Sequence, residues 1–220
     1  MRTSFKMSFN IEKAKEAQNV LSKLALIEPI DIGSIDVVVG LDVSYLSSNA
    51  IAAAVAYSIC EKRVIETGIA VKAIRIPYIP GLLAFREAPA MFLALKKLTD
   101  KLKRIDVIMV NGHGLAHPRK CGIATHIGVV VDKPSIGVAK KLLYGEVISI
   151  NNRSAIVVEG KVVGYAVNRR NRDIYISIGH RVTAEDALKI ALSVWNRESL
   201  LPEPLRLADK ISREYRKAVV

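Results

Sequence analysis

The chain has 220 residues, the length of one ordinary domain, and half of them are apolar while only 5% are aromatic. This composition excludes a disordered chain and favours a core of Val, Ile, Leu and Ala, typical of a buried sheet flanked by helices. The net charge of +12 favours a polyanionic partner such as nucleic acid, although the solvated surface of a heat-adapted protein is an alternative explanation.

The cysteines and the apolar stretches indicate the compartment. Cys60 and Cys121 are too few for a disulfide framework and form no CxxC pair, which is typical of a reducing cytosol. Residues 1–10 contain no apolar run that resembles a signal peptide. Elsewhere, charged or turn-forming residues interrupt every apolar stretch before it reaches the roughly 20 residues that span a bilayer. We therefore expect a cytoplasmic protein that does not enter a membrane.

The first third of the chain predicts a helix followed by an antiparallel meander. Apolar residues recur at helical spacing over residues 11–27, with Lys and Glu between them. Three β-rich runs follow, separated by polar turns short enough for hairpins. The runs are residues 37–43, 51–59 and 64–71.

The middle of the chain predicts alternating helices and strands. Residues 88–105 have the length and pattern of a helix, with Pro89 in its first turn. A buried strand over residues 106–110, a short helix over 124–131 and a further strand over 135–139 follow. This alternation implies a parallel segment of the sheet.

The last third predicts further strands and two helices. Residues 147–178 contain several short β-rich runs. Thr183 resembles the cap of a helix over residues 183–196, and residues 201–219 form a second helix. No repeat or linker interrupts the chain, so we expect a single domain over residues 1–220.

The segment NGHGLAHPRKCGIATH, residues 111–126, contains three of the four histidines and one cysteine. A zinc site is one interpretation, but the spacing matches no standard zinc pattern. Gly112, Gly114 and Pro118 also disfavour a helix that would align the side chains. Zinc stays a minor alternative.

Three acidic residues stand at informative positions. Asp42 lies inside an apolar strand, where a carboxylate is costly to bury without a cation or donors, unless it caps the turn after the strand. Glu87 precedes the predicted second helix, where the helix dipole alone favours an acid. Asp209 lies on the last helix, where an ion pair with Lys210 or Arg213 is the simpler explanation. Only convergence of the three would indicate a metal site.

The order of these elements and acids resembles the ribonuclease H-like fold, an α/β architecture whose mixed central sheet combines an antiparallel meander with parallel strands between helices. The residues themselves resemble one family, endonuclease V, the inosine-directed repair nucleases. The resemblance covers most of the chain and is densest over residues 37–145. It rests on the blocks GLDVSY, PYIPGLLAFREAP, NGHGLAHPRKCGIATHIG, IGVAK and LPEPLRLA, which occur in this order.

The resemblance implies a catalytic centre. Asp42, Glu87, Asn111 and Asp209 would be the metal ligands around Mg²⁺, for which Mn²⁺ can substitute. Lys140 would place a positive charge near the scissile phosphate. The family pattern has Asp at position 111, and an amide oxygen can coordinate Mg²⁺ but lacks the charge of a carboxylate. We therefore expect weaker metal binding and weaker water activation.

The resemblance also implies a substrate site. A stiff wedge loop, residues 77–81, would separate stacked bases, and the loop after Asn111 would surround an extruded hypoxanthine while Arg119 contacts a phosphate. His126 would support this loop by hydrogen bonding, and Phe85 would either line the pocket or belong to the core. The expected substrate-binding residues are Pro77, Tyr78, Ile79, Pro80, Gly81, Leu83, Gly112, Gly114, His117 and Arg119.

The resemblance thus predicts a Mg²⁺-dependent endonuclease for DNA repair. It would bind inosine-containing DNA and hydrolyse the second phosphodiester bond 3′ to the lesion, leaving 3′-hydroxyl and 5′-phosphate ends. RNA stays open as a substrate because no residue clearly reads the 2′-hydroxyl, and no obligate protein partner is evident. The alternatives are an inosine-binding protein whose cleavage Asn111 impairs, and a zinc hydrolase.

Overall fold

In a computed structural model, residues 9–218 form a nine-stranded mixed sheet flanked by helices. The predictions made for residues 1–8, and for the end of the last helix at residue 219, lie outside the described residues. No helix within residues 9–218 combines the length and the apolar character needed to cross a bilayer.

The strands of the sheet follow the order β3-β2-β1-β4-β5-β9-β8-β7-β6. The antiparallel meander β1 to β3 is confirmed, and β4 and β5 add to it in parallel, as the alternation of elements predicted. The remaining four strands are antiparallel. The strands are β1 (Val37–Leu46), β2 (Asn49–Ser58), β3 (Arg63–Ala73), β4 (Val107–Asn111), β5 (Ser135–Ala139), β6 (Glu146–Ile150), β7 (Arg153–Val158), β8 (Lys161–Arg169) and β9 (Arg172–His180).

Five α-helices of the described chain cover the two faces of this sheet, and one short 3₁₀ turn precedes β1. The predicted cap of α4 is confirmed, because the Thr183 hydroxyl accepts a hydrogen bond from the Asp186 backbone N–H at 3.1 Å. The helices are α1 (Ile11–Leu24), α2 (Leu83–Thr99), α3 (Ile123–Val131), α4 (Ala184–Ser193) and α5 (Glu203–Ala218).

The predicted start of α2 was wrong. The helix begins at Leu83, so that Pro89 lies inside it and Glu87 lies in its second turn rather than before it. The prediction treated Pro89 as a first-turn residue, but burial of Ala88 before it and of Met91 and Ala94 after it stabilises helix on both sides of the proline. α2 also ends six residues earlier than predicted, and α1 ends at Leu24 rather than at residue 27.

Helix α5 lies along strand β1. A Cβ at Gly40 would stand 2.3 Å from the backbone carbonyl of Pro204, so the missing side chain lets the helix approach the strand closely. Further along, the Ser44 hydroxyl donates to the Ser212 carbonyl at 2.9 Å. Because Asp209 lies between these two contacts, the packing carries it over the middle of β1.

Candidate active site and base pocket

Asp42 and Asn111 stand side by side on two parallel strands, Asp42 in the middle of β1 and Asn111 at the end of β4. Leu41 on β1 pairs with Val110 on β4, so the next residues of both strands are neighbours. Side chains alternate along a strand, and Asp42 and Asn111 therefore point to the face that α5 covers. The Asn111 amide Nδ2 donates to Asp42 Oδ1 at 2.9 Å, and the Val43 backbone N–H donates to the same oxygen at 2.8 Å.

The second carboxylate oxygen of Asp42 has no hydrogen-bond partner among the described residues, although it is buried. Burial raises the pKa of Asp42 to about 7, and repulsion from Asp209 and Glu87 adds to the increase, against hydrogen bonds from Asn111 and Val43. An unpartnered buried carboxylate oxygen is costly unless a cation or a proton compensates it. The surroundings of Asp42 therefore suit a bound cation.

Glu87, on α2, is near enough to Asp42 to raise the pKa of that carboxyl by charge repulsion. Burial raises the pKa of Glu87 to about 7, while a hydrogen bond from the Tyr45 hydroxyl and the nearby Arg86 charge lower it. The Arg86 guanidinium lies 4.9 Å from the centre of the Tyr45 ring. Tyr45 thus orients Glu87, a role that no local sequence pattern indicates because it joins residues 42 positions apart.

Asp209 forms an ion pair with Arg213, one of the two partners that the sequence suggested as an alternative to a metal ion. Arg213 Nε lies 2.7 Å from Asp209 Oδ1, whereas Lys210 pairs with Glu214 at 3.7 Å. Asp209 and Glu87 are near enough to Asp42 to raise its pKa by charge repulsion. Within residues 9–218, however, no three His, Cys, Asp or Glu side chains are arranged to hold one metal ion as they stand.

The oxygen donors present fit Mg²⁺ in their chemistry. Hard cations of this kind take carboxylate and amide oxygens, which Asp42, Glu87, Asp209 and Asn111 supply. The same residues do not suit zinc. Among the described residues, the histidine segment likewise contributes to no group of three or more His, Cys, Asp or Glu side chains arranged to hold a metal ion.

Lys140 follows β5 directly and is exposed. Val138 pairs with Asn111, so Lys140 lies just beyond the same edge of the sheet as the Asp42–Asn111 pair. A lysine here is exposed to solvent, where it can meet an anionic group.

The wedge loop, residues 77–81, contains a tight turn that presents Tyr78. The Leu82 backbone N–H donates to the Ile79 carbonyl at 2.9 Å, and Gly81 has a φ of 77°. Pro80 before a glycine with positive φ is the pattern of a type II turn. Tyr78 is 66% exposed, so its ring projects from a rigid base.

A pocket of about 340 Å³ opens between the wedge loop and the loop that follows Asn111. Five of the predicted residues line it, namely Tyr78, Gly81, Leu83, Gly112 and His117. The prediction did not include several other lining residues, which come from distant parts of the chain. These are Gln18, Ala84, His113, Gly122, Ile123, Lys141, Leu142 and Leu143.

His117 is a neutral, fixed part of this wall. Its Nε2 donates to the Gly81 carbonyl at 3.0 Å, and its Nδ1 accepts from the Arg119 backbone N–H at 3.2 Å. Burial lowers the pKa of His117 to about 4. The uncharged ring therefore connects the two loops.

The other residues predicted to bind the substrate make contacts within the protein or shape a loop. Gly114 packs on β9, where a Cβ would lie 1.9 Å from the Ile178 carbonyl oxygen. The Arg119 guanidinium bonds to Gln18 Oε1 at 2.6 Å and to the Gly81 carbonyl at 2.9 Å, so protein acceptors hold it. Pro77, Ile79 and Pro80 shape the wedge loop without lining the pocket.

The predicted hydrogen-bonding role of His126 was wrong. Its buried Nδ1 has no hydrogen-bond partner within residues 9–218. The ring instead packs edge-on against Phe85, with ring centres 5.4 Å apart, and near Phe92 at 6.3 Å. His126 supports the loop by aromatic packing because apolar α2 side chains surround it.

Known proteins match this chain over nearly its whole length. The family model described as Endonuclease V matches residues 18–210. Endonuclease V of Desulfurococcus amylolyticus is 42% identical over 213 residues, which cover 94% of this chain and 96% of the relative. The crystal structure of Endonuclease V from Bacillus subtilis has a TM-score of 0.87 at 28% identity and covers 100% of this chain and 97% of its own.

One further structure is that of Ciona intestinalis Endonuclease V with a 24mer DNA containing an inosine followed by a ribo-adenosine. It has a TM-score of 0.86 at 26% identity and covers 96% of this chain and 99% of its own.

The mixed sheet, its flanking helices and these solved relatives define a nuclease with a ribonuclease H-like fold, as expected. The chain belongs to the endonuclease V family, and it is an endonuclease. The resemblance found in the sequence blocks is thereby confirmed.

Proposed function

We propose that this chain is a single-domain, Mg²⁺-dependent endonuclease that acts on inosine-containing DNA in DNA repair. It hydrolyses the second phosphodiester bond 3′ to the lesion and leaves 3′-hydroxyl and 5′-phosphate ends. The observation that carries the proposal is the position of the pocket beside the buried acids, since Gly112 of the pocket wall directly follows Asn111. The inosine-containing DNA bound to the Ciona relative supports the choice of substrate.

The acids and Asn111 would hold the cation. Asp42 offers its unpartnered oxygen, Glu87 and Asp209 add two further carboxylates, and Asn111 contributes an amide oxygen. When bound, Mg²⁺ assists water activation and neutralises charge on the phosphate. Asp209 must exchange its ion pair with Arg213 for the cation.

The two loops and Lys140 would hold the nucleic acid. The exposed Tyr78 ring separates neighbouring bases, and the pocket behind it receives the extruded base against Gly112 and His117. Lys140, beyond the same edge of the sheet, stabilises the negative charge that develops on the phosphate.

A second candidate function is lesion binding with impaired cleavage. The observation that favours it is the hydrogen bond from the Asn111 amide to Asp42, because it turns a donor toward the carboxylate where the family pattern has a second carboxylate. This replacement reduces the negative charge available to the cation.

End-labelled strands with a single inosine, and matched strands with guanine in its place, separate the two functions. We expect Mg²⁺ or Mn²⁺ to support one cut, one linkage beyond the linkage adjacent to the lesion, only in the inosine strand. A 5′-phosphate on the downstream product is checked by its ligation to an upstream strand on a complementary splint. DNA and RNA strands are compared in parallel.

Two variants test the assignment of the cation ligands. Asn111→Asp is expected to increase the cleavage rate, and Asp42→Ala to abolish cleavage while inosine binding is retained. Selective binding by the unmodified chain, without cleavage in either cation, would establish the second function. Cleavage by Asp42→Ala at the normal rate would refute the assignment of Asp42.

A further inference from the structure

One backbone oxygen of the wedge loop accepts hydrogen bonds from three side chains. The Gly81 carbonyl receives Gln18 Nε2 at 3.0 Å, His117 Nε2 at 3.0 Å and an Arg119 guanidinium nitrogen at 2.9 Å. A carbonyl oxygen has two lone pairs and in most places accepts one or two such bonds. Three donors on one oxygen therefore hold the base of the Tyr78 turn unusually firmly.

Gln18 is central to this arrangement. It is 1% exposed on the inner face of α1 and is the one glutamine of the sequence. Besides Gly81, its Nε2 donates to the Cys121 carbonyl at 3.0 Å, while its Oε1 accepts from Arg119 Nε at 2.6 Å. One buried amide thus joins α1, the wedge loop and the loop after β4, with a partner for each of its two polar atoms.

At two of the other positions, the geometry is specific for arginine and for glycine. Arg119 uses separate guanidinium nitrogens for Gln18 and for Gly81, a planar fork that a lysine cannot reproduce. A Cβ at Gly81 would lie 2.9 Å from the Arg119 guanidinium, and its φ of 77° favours glycine as well. We define these four residues, Gln18, Gly81, His117 and Arg119, as the clamp.

We infer that Gln18 is a positioning residue for lesion recognition. Through the clamp it fixes the wedge loop against the opposite wall of the pocket, and so sets the separation between Tyr78 and the extruded base. A loop that is ordered before binding loses less entropy when the base enters, and this gain is realised only for a base that fits the pocket. The inference rests on the proposed function, since it concerns selectivity for inosine.

Gln18→Leu tests this role, with Asn19→Leu as a matched control on the exposed side of the same helix. Affinities for inosine and guanine strands are measured in chelator, so that no strand is cut. We expect Gln18→Leu to lower the inosine-to-guanine affinity ratio about tenfold, because roughly one to two buried hydrogen bonds are lost. Its affinity for the guanine strand should stay within about twofold of that of the unmodified chain. Backbone hydrogen exchange in residues 76–82 is expected to become faster. Asn19→Leu is expected to change neither quantity.

Arg119→Lys separates the clamp from a phosphate contact. Lysine keeps the positive charge but loses the fork, so the clamp predicts the same loss of selectivity as in Gln18→Leu. The double variant is expected to be little worse than either single variant, because both remove one shared network. Two results together would overturn the clamp: Arg119→Lys keeps the inosine-to-guanine affinity ratio of the unmodified chain, and Arg119→Leu weakens binding of both strands equally. They would assign Arg119 to a phosphate contact.

Backbone hydrogen exchange tests the clamp independently of the proposed function. If the unmodified chain does not distinguish inosine from guanine, the proposed function fails, and faster exchange in residues 76–82 of Gln18→Leu still decides whether the clamp orders the loop. Unchanged exchange and an unchanged ratio in a folded Gln18→Leu protein would overturn the inference. If Gln18→Leu does not fold, Arg119→Lys supplies the same two measurements.

Discussion

His117 couples the pocket wall to pH. The pKa of His117 is about 4 in the folded chain, below the ordinary value of 6.5, because the ring is buried. The unfolded chain therefore binds more protons as the pH falls below 6.5, and the stability that neutral His117 contributes is lost toward pH 4.

We expect the difference in unfolding free energy between the unmodified chain and His117→Gln to shrink by about 2 kcal/mol from pH 7 to pH 4.5. Urea unfolding at several pH values measures this difference. A difference that stays constant or grows as the pH falls would contradict a neutral, buried His117.

Tyr78 acts at the surface rather than in the core. Since its side chain is 66% exposed, we expect Tyr78→Ala to change the melting temperature little. Affinity for the inosine strand should fall about tenfold, because a ring stacked on a base contributes roughly 1–3 kcal/mol. Tyr215→Ala, an exposed tyrosine on α5, is the control, and equal losses in the two variants would argue against a wedge.

At the level of single residues, sequence blocks predicted the acids and the wedge but not their hydrogen-bond partners. Asp42, Glu87 and Tyr78 stand in motifs that can be recognised locally. Gln18 stands in no such motif, and the block that contains Tyr45 does not indicate its role, since both roles arise from hydrogen bonds to residues 63 and 42 positions away. Only the folded chain brings these groups together.

The contact between α5 and β1 determines where Asp209 lies. A Cβ at position 40 would lie 2.3 Å from the Pro204 backbone, which cannot rotate away as a side chain could. We expect Gly40→Ala to destabilise the chain by about 3 kcal/mol and to slow cleavage by displacing α5. In Gly33→Ala, the added methyl meets only an ordinary contact at 3.4 Å. Thermal unfolding and cleavage rates of both variants check this, and equal stability of the two would contradict the tight crossing.

The types of the secondary-structure elements were predicted better than their boundaries. The meander, α3 and β5 follow from periodicity and turn residues, which act over a few positions. The start of α2 did not, because tertiary burial of its apolar face outweighs the local signal of Pro89. For the same reason, no local pattern indicated that β9 would pair with β5, whose partner residues are 36 to 45 positions away in the chain.

The whole molecule carries a charge of +12, which acts on any nucleic acid regardless of its sequence. We expect affinity for inosine and guanine strands to fall with salt at equal slopes, since phosphate contacts do not depend on the base. Four phosphate contacts to a single strand would give a slope of about −3 in log affinity against log salt. Titrations between roughly 50 and 200 mM salt measure both slopes, because phosphate contacts weaken over this range. A steeper slope for the inosine strand alone would show that selectivity itself depends on extra phosphate contacts.

Asn111 and Gly112 are successive residues, and the backbone of Gly112 is tied to β5 by a hydrogen bond from its N–H to the Val138 carbonyl at 2.9 Å. Their Cα atoms are therefore separated by one trans peptide, about 3.8 Å. In the proposed function, a cation ligand and the wall of the base pocket are thus joined by a single peptide unit. Movement of one loop against another cannot change the distance between these two backbone positions.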